Sequence, residues 1–481
     1  MRRRDFLLLG AAGACLAGCD AAWVARREAG DGPFAPPPSG DIDDVAHVLS
    51  RLTFGARPGD RERVLALAPD PAAAARAFIE QQLASASVSD APGFWASQRF
   101  ETLDEPVAEY YEHKPAVLLR ELVAFTILRA VHSNRQLLEV MAGFWSDHFN
   151  IDPAKSDCAF TKTADDRDVI RRHALGRFPE LLRASVLSPA MLWYLDGQAN
   201  RAGKPGERPN ENHARELLEL HTLGVDGGYT QHDVMEAARC LSGWTVHPLR
   251  AFRTAKVEFI AEHHDDGEKL VLGQRMPSGG GPRDLDRLLE ILARHPSTAR
   301  HIARKLARAF VHDDAPADSV DAAAAAFAAT GGDIPATLRA LFSAPSFWTS
   351  RGNLIKRPLH FVVSSLRATG ARTDAGPALV DHLHRMGHAP FNHPTPDGYP
   401  REPHPWMGSL LWRWSFALAL AQGRIKGTSL RLDRLVAQHG GEAGALAHVL
   451  GRQPTALELR VILNGPEPLA LALASPAFQV H

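Results

Sequence analysis

Neither sign of charge dominates this sequence, no apolar run at its N-terminus is long enough to span a bilayer, and cysteine occurs only four times in 481 residues. Its 54 Lys and Arg face 55 Asp and Glu, a formal charge of -1. That balance removes any chain-wide electrostatic pull toward nucleic acid, so no nucleic acid is expected as a partner. Gly-x-Ser-x-Gly, P-loop and Gly-x-Gly-x-x-Gly patterns are missing, and with them the usual signatures of hydrolase triads and of nucleotide or dinucleotide binding. No zinc site is expected from the 23 histidines. With 38 Gly and 34 Pro the chain is not low-complexity. What remains is 45% hydrophobic and 23% charged, a globular composition able to bury several cores.

The N-terminus reads as an address. Arg2, Arg3 and Arg4 precede the apolar stretch Phe6 to Leu16, which falls short of the ~20 residues of a spanning helix. Arg3-Arg4-Asp5-Phe6-Leu7 is similar to a twin-arginine export motif, and Leu16-Ala17-Gly18-Cys19 to a bacterial lipobox. Residues 1–18 are therefore expected to be a signal peptide, and Cys19 the lipidated first residue of an exported, membrane-anchored protein facing the periplasm or the cell exterior. Each methylene of an acyl chain contributes about 0.8 kcal/mol, so two chains hold a protein stably. Residues 19–40, with Pro33, Pro36, Pro37 and Pro38, read as an extended tether. Cys15 would leave with the signal, so only Cys158 and Cys240 are left, either bridged or as two buried thiols.

From residue 41 to 481 the apolar spacing is mostly helical, as in Ile42, Val45, Leu49 and Leu52. Ser133 and Gln136, and again Thr230 and Asp233, match capping boxes. Lys256 to Gly273 alternates instead and predicts a hairpin turning at Asp266-Gly267. Gly376 to Pro405 predicts a long surface loop around a short helix. Pro179 to Pro189 parallels Pro335 to Pro345 at a constant offset of 156, a pattern that fits either a duplicated helical unit or chance punctuation by proline. The expected fold is mainly α, a multi-helical body with one small β-hairpin and two packed halves meeting near 275–285.

On a 100° wheel with His213 at 0°, Leu217, His221, Ala214 and Leu218 form one apolar arc, while Arg215, Glu219 and Glu216 lie opposite. His221 is thus expected in the core. The polar arc suits an ion-pair lattice or a carboxylate site oriented by a guanidinium. Asp196, Asn210, Glu211 and Asn212 lead into it on a long loop. Glu216, Arg215 and His148 are the catalytic candidates, Asp196, Asn210, Glu211 and Asn212 the binding candidates. Asp196 and Glu211 are the candidate ligands of a divalent cation such as calcium or magnesium, because their oxygens are hard donors. His148 shares its helix face with Met141, Phe144 and Trp145, so a core role competes with a proton-transfer role there.

Several stretches in order resemble the bacterial family called domain of unknown function (DUF) 1800. They are Arg51-Leu52-Thr53-Phe54-Gly55, Phe144 to Phe149, Asn210 to Gly224 with Gly228-Tyr229-Thr230 and Leu241 to Trp244, His264-Asp265 with Lys269, Phe347-Trp348, and Ala474 to Phe478. The resemblance implies an exported protein, with a co-exported sulfatase-like protein as partner, and brings no activity with it. Two readings stand. One is an enzyme acting on envelope or extracellular polymer through a polar centre near 196–219. The other is a non-catalytic scaffold or maturation partner.

The lipobox makes a direct prediction. The unaltered protein should partition into detergent, and Cys19→Ala should release or strand it; recovery of the unaltered protein without lipid from a soluble periplasmic fraction would refute the assignment.

Overall fold

Apolar residues at three- and four-residue spacing turn most of the chain into short helices, each burying one stripe. A computed structural model describes residues 42–203, 206–246 and 254–481; the expected signal peptide, Cys19 and the tether lie outside the described residues. Helix takes 60% of the chain, and among the described residues strands are confined to three two-stranded antiparallel sheets, so the body is mainly α as expected. No helix among the described residues is long and apolar enough to cross a membrane.

Two apolar cores organise these helices. Val48, Trp145, Leu182, Leu217, Phe310 and Phe342 belong to the first, and Val271, Met276 and Leu285, in and around residues 275–285, also share it. Leu122, Ile127, Phe361, Leu383, Phe416 and Leu473 belong to the second. The helix Gln136–His148 (α1) buries Leu137, Met141, Phe144 and Trp145 on the first core.

The offset of 156 marks a local two-fold. After α1 come Cys158–Ala164 (α2), Phe178–Val186 (α3) and Pro189–Tyr194 (α4); Pro296–Phe310 (α5), Ala317–Thr330 (α6), Ile334–Ser343 (α7) and Pro345–Thr349 (α8) repeat the order. Arg177 and Asp333, equivalent under that offset, face each other in an antiparallel bridge. Phe178 N donates to Gly332 O at 2.7 Å and Ile334 N to Gly176 O at 3.0 Å. Each bond is the image of the other, which chance proline punctuation does not produce.

Three local expectations need correction. Val257–Phe259 (β2) pairs with Trp244–Val246 (β1), and Lys269–Val271 (β3) with Gln274–Met276 (β4); Arg372–Thr373 (β5) pairs with Thr428–Ser429 (β6). The β3–β4 turn is Leu272-Gly273, both at positive φ, as a two-residue turn of matching twist requires. Asp266-Gly267 does not turn the hairpin, because Asp265 is held by Arg239 at 2.6 Å and His264 by Asp284 at 3.3 Å. The Thr230–Asp233 capping box forms, whereas the Ser133–Gln136 one does not: Gln136 Oε1 accepts from Phe54 N at 3.1 Å and Ser133 Oγ donates to Asp90 at 2.9 Å. The segment read as a surface loop is covered in part, with His388 3%, Ala389 1% and Tyr399 8% exposed.

Cys158 and Cys240 are separate, buried thiols, and burial pushes both up to about 12. Neither should react with a thiol reagent in the native protein, and both should react on unfolding; a mass two hydrogens lighter, or native-state labelling, would contradict this.

Candidate functional site

Most of the candidate side chains between 196 and 219 are paired within the protein, while Gln198 Oε1 and His213 Nε2 are buried without a partner. Asp196, at φ 59°, pairs with Lys155 at 3.0 Å and lies 3.5 Å from Asn212 Nδ2. Asn210 Oδ1 accepts from Asn212 N at 3.0 Å. Glu211 pairs with Arg215 at 3.0 Å, and Gln231 bonds both, at 2.6 and 2.9 Å. These are half-exposed, at 40% for Arg215 and 34% for Glu211, and such pairs contribute about 0–1 kcal/mol. Burial, with Glu219 and Asp397 nearby, pushes Glu216 up. Among the described residues no three His, Cys, Asp or Glu side chains are grouped as a metal ion needs.

His148 stands apart from that lattice. It is 1% exposed, its Nε2 donates to His221 O at 3.1 Å, and its Nδ1 accepts from Lys305 Nζ at 2.8 Å. Those bonds fix a neutral imidazole, and burial with Lys305 adjacent holds it well below its ordinary value. His221 is buried at 1% as expected.

Four of the residues that keep a buried polar atom without a partner line one solvent-connected cleft, with about 1170 Å³ of empty space where the two cores meet. One wall is α1. Its Glu139, 4% exposed, takes Arg129 at 2.7 Å and Arg171 at 2.6 Å, and Arg171 also takes Asp166 at 2.7 Å. Two turns on, Asp147 takes Arg357 at 2.7 Å, with Arg401 at 3.9 Å. The loop carrying Tyr399 and Arg401 lies so close to α1 that a Cβ on Gly398 would overlap the Asp147 carbonyl, and φ there is +74°. Only glycine meets both demands.

With Glu139, Asp166 and Asp147 engaged, Arg51 stands out. It is 1% exposed, bonds Ser350 through Nη2, and leaves Nε and Nη1 buried without a partner. Thr126 Oγ1, Arg308 Nε and His360 Nε2 are likewise buried and unpartnered, and all four residues line this cleft. Burial brings Arg51 and Arg401 each down to about 9. Burial, then the cations Lys356 and Arg357, hold His360 neutral, and burial pushes Asp313 up. Phe54, Phe391 and Tyr399 add apolar faces. An orphaned buried donor costs about 1–3 kcal/mol, so a cleft carrying several is built for an acceptor from outside.

Sequence reasoning missed Arg51, Arg308, Arg357, His360 and Arg401 as site residues because they come from four separate stretches. The available signal was that Arg51 and Asp147 sit within two of the recurring motifs, Arg51–Gly55 and Phe144–Phe149.

A family model described as Protein of unknown function (DUF1800) matches residues 47–480. No curated protein and no solved structure matches the chain.

The buried imidazoles set the acid limit of the fold. Burial lowers His213 and His301 to about 4 from 6.5, so between those values the unfolded chain binds more protons. Their contribution is complete above pH 6.5 and is lost as pH falls, about 2 kcal/mol for each at pH 5. The thermal midpoint should therefore fall steeply from pH 7 to 5; an unchanged or rising midpoint would contradict the burial of these groups as neutral rings.

Proposed function

The chain belongs to the DUF1800 family, and from that premise we propose that it is an exported lipoprotein, anchored through Cys19, whose arginine-lined cleft binds acidic groups of an envelope or extracellular polymer. The observation that carries this reading is Arg51, a 1% exposed guanidinium that lines the cleft and keeps two buried nitrogens without a partner. Guanidinium forks suit carboxylate and sulfate oxygens, and the rings of Phe54, Phe391 and Tyr399 suit the apolar faces of sugar units. Export and anchoring are supported by the order of the basic, apolar and Leu16–Cys19 segments. An enzyme on such a polymer needs a proton donor and an acceptor, and Asp313 with its raised value and neutral His360 are the groups in the cleft suited to those tasks.

A second reading, a maturation partner of a co-exported protein, is favoured by one observation. Met407, Leu410, Leu411 and Trp414 are 51%, 46%, 72% and 47% exposed, a helical stripe that a protein partner would cover.

Arg51→Met separates ligand binding from packing. If the guanidinium is kept for a ligand, the variant should keep or raise the melting temperature, since it removes orphaned donors, while losing retention on an immobilised polyuronate. Unchanged retention, or loss of retention only alongside unfolding, would overturn the reading.

A further inference from the structure

A second basic pocket lies away from that cleft. About 930 Å³ of empty space opens between the end of the helix Pro115–His132, the end of the helix Pro358–Ala368 with β5, the residues before the helix Asp60–Leu65, and β6 with the helix Leu432–Gln438. Its lining contains Arg57, Arg63, Arg367, Arg372, Arg431 and Arg434, and neither Asp nor Glu. In a chain with nearly equal numbers of acids and bases, six arginines drawn from three separate segments onto one wall are not a by-product of composition.

The cations are fixed in two tiers. At the back, Arg367 is 1% exposed and donates to Gly55 O at 2.6 Å and Val131 O at 2.8 Å. A single carboxylate, Asp60, is shared by Arg57, Arg63 and Arg367. At the mouth, Arg372 and Arg431 are exposed and Arg434 half-buried, and Arg431 pairs with Asp433 at 2.9 Å on the outer surface. Burial brings Arg57 down to about 10. The floor between the tiers is apolar: Pro58, Val131, Leu366, Ala371 and Leu435.

We propose that this pocket binds a phosphate ester, the guanidiniums taking the phosphate oxygens and the floor taking the apolar body to which the phosphate is joined. Forked donors converging from several directions fit a tetrahedral oxyanion, and its charge relieves the repulsion among the arginines. The apolar floor distinguishes an ester from inorganic phosphate, because buried methylenes add to affinity. Two sources share this chemistry, the headgroup of an anionic phospholipid and a soluble phosphate ester.

The test uses the full-length chain carrying Cys19→Ala, so that no acyl group confuses the result. By calorimetry hexyl phosphate should bind at least about tenfold more tightly than inorganic phosphate. The double variant Arg431→Gln, Arg434→Gln should weaken hexyl phosphate about tenfold or more with an unchanged melting temperature, and Arg372→Gln serves instead if that variant is unstable. Arg294→Gln, exposed on a distant helix, should bind as the parent does. Sedimentation with phosphatidylglycerol but not phosphatidylcholine vesicles, lost in the same variants, would identify the lipid headgroup as the source. Hexyl phosphate binding without sedimentation would identify the soluble ester. Absence of hexyl phosphate binding at millimolar concentration, equal affinity for inorganic phosphate, or equal binding by the folded variants would each overturn the proposal.

Discussion

Glu139 is buried with two guanidiniums on its one carboxylate, and the junction between the two cores depends on that arrangement. The helix that carries it packs Met141 and Trp145 into the first core, while Arg129 comes from a helix that packs Leu122 and Ile127 into the second. Removing the carboxylate would take one partner from each arginine, leaving Arg129 to Asp90 and Arg171 to Asp166 and uncoupling the two helices. Asp147, two turns along, repeats the device with Arg357 and the loop that bears Arg401. The cleft exists because these ion pairs hold the cores at a fixed separation without filling the space between them.

Much of the fold was legible in the sequence because it is local. Helical periodicity and the Thr230–Asp233 capping box depend on residues within a few positions of one another, and His221 in the apolar arc followed from the wheel alone. What failed was pairing at a distance. Alternation in 257–271 marked strands, but β2 pairs backward with β1, a choice made by Arg239 and Asp284 gripping Asp265 and His264 from other elements. Gln136 had the right spacing for a cap, yet its amide accepts from Phe54, 82 positions away. The duplication was visible as an offset and gained a physical meaning only when equivalent residues were seen to exchange hydrogen bonds.

The candidate site divides along the same line. Asp196, Glu211 and Arg215 were noticed because they are polar and close in sequence, and each is held inside the protein, Asp196 by Lys155, and Glu211 and Arg215 by Gln231 and one another. Arg51, Arg308 and His360 are far apart in the chain and stand among neighbours that look like core, so no window of sequence sets them together. Their unpartnered donors, rather than their residue types, are what distinguish the cleft from a lattice. Charge that is fully paired inside the protein has little left to offer a ligand; charge buried short of a partner does.

The central claim is that the cleft is short of one negatively charged group. The most direct measurement is the melting temperature of the parent protein with an oligouronate and, in parallel, with the same oligomer as its neutral methyl ester. The account predicts a rise that grows with the concentration of the acidic oligomer, as ligand linkage requires, and little or none with the ester. Equal shifts for both, or none for either, would contradict it.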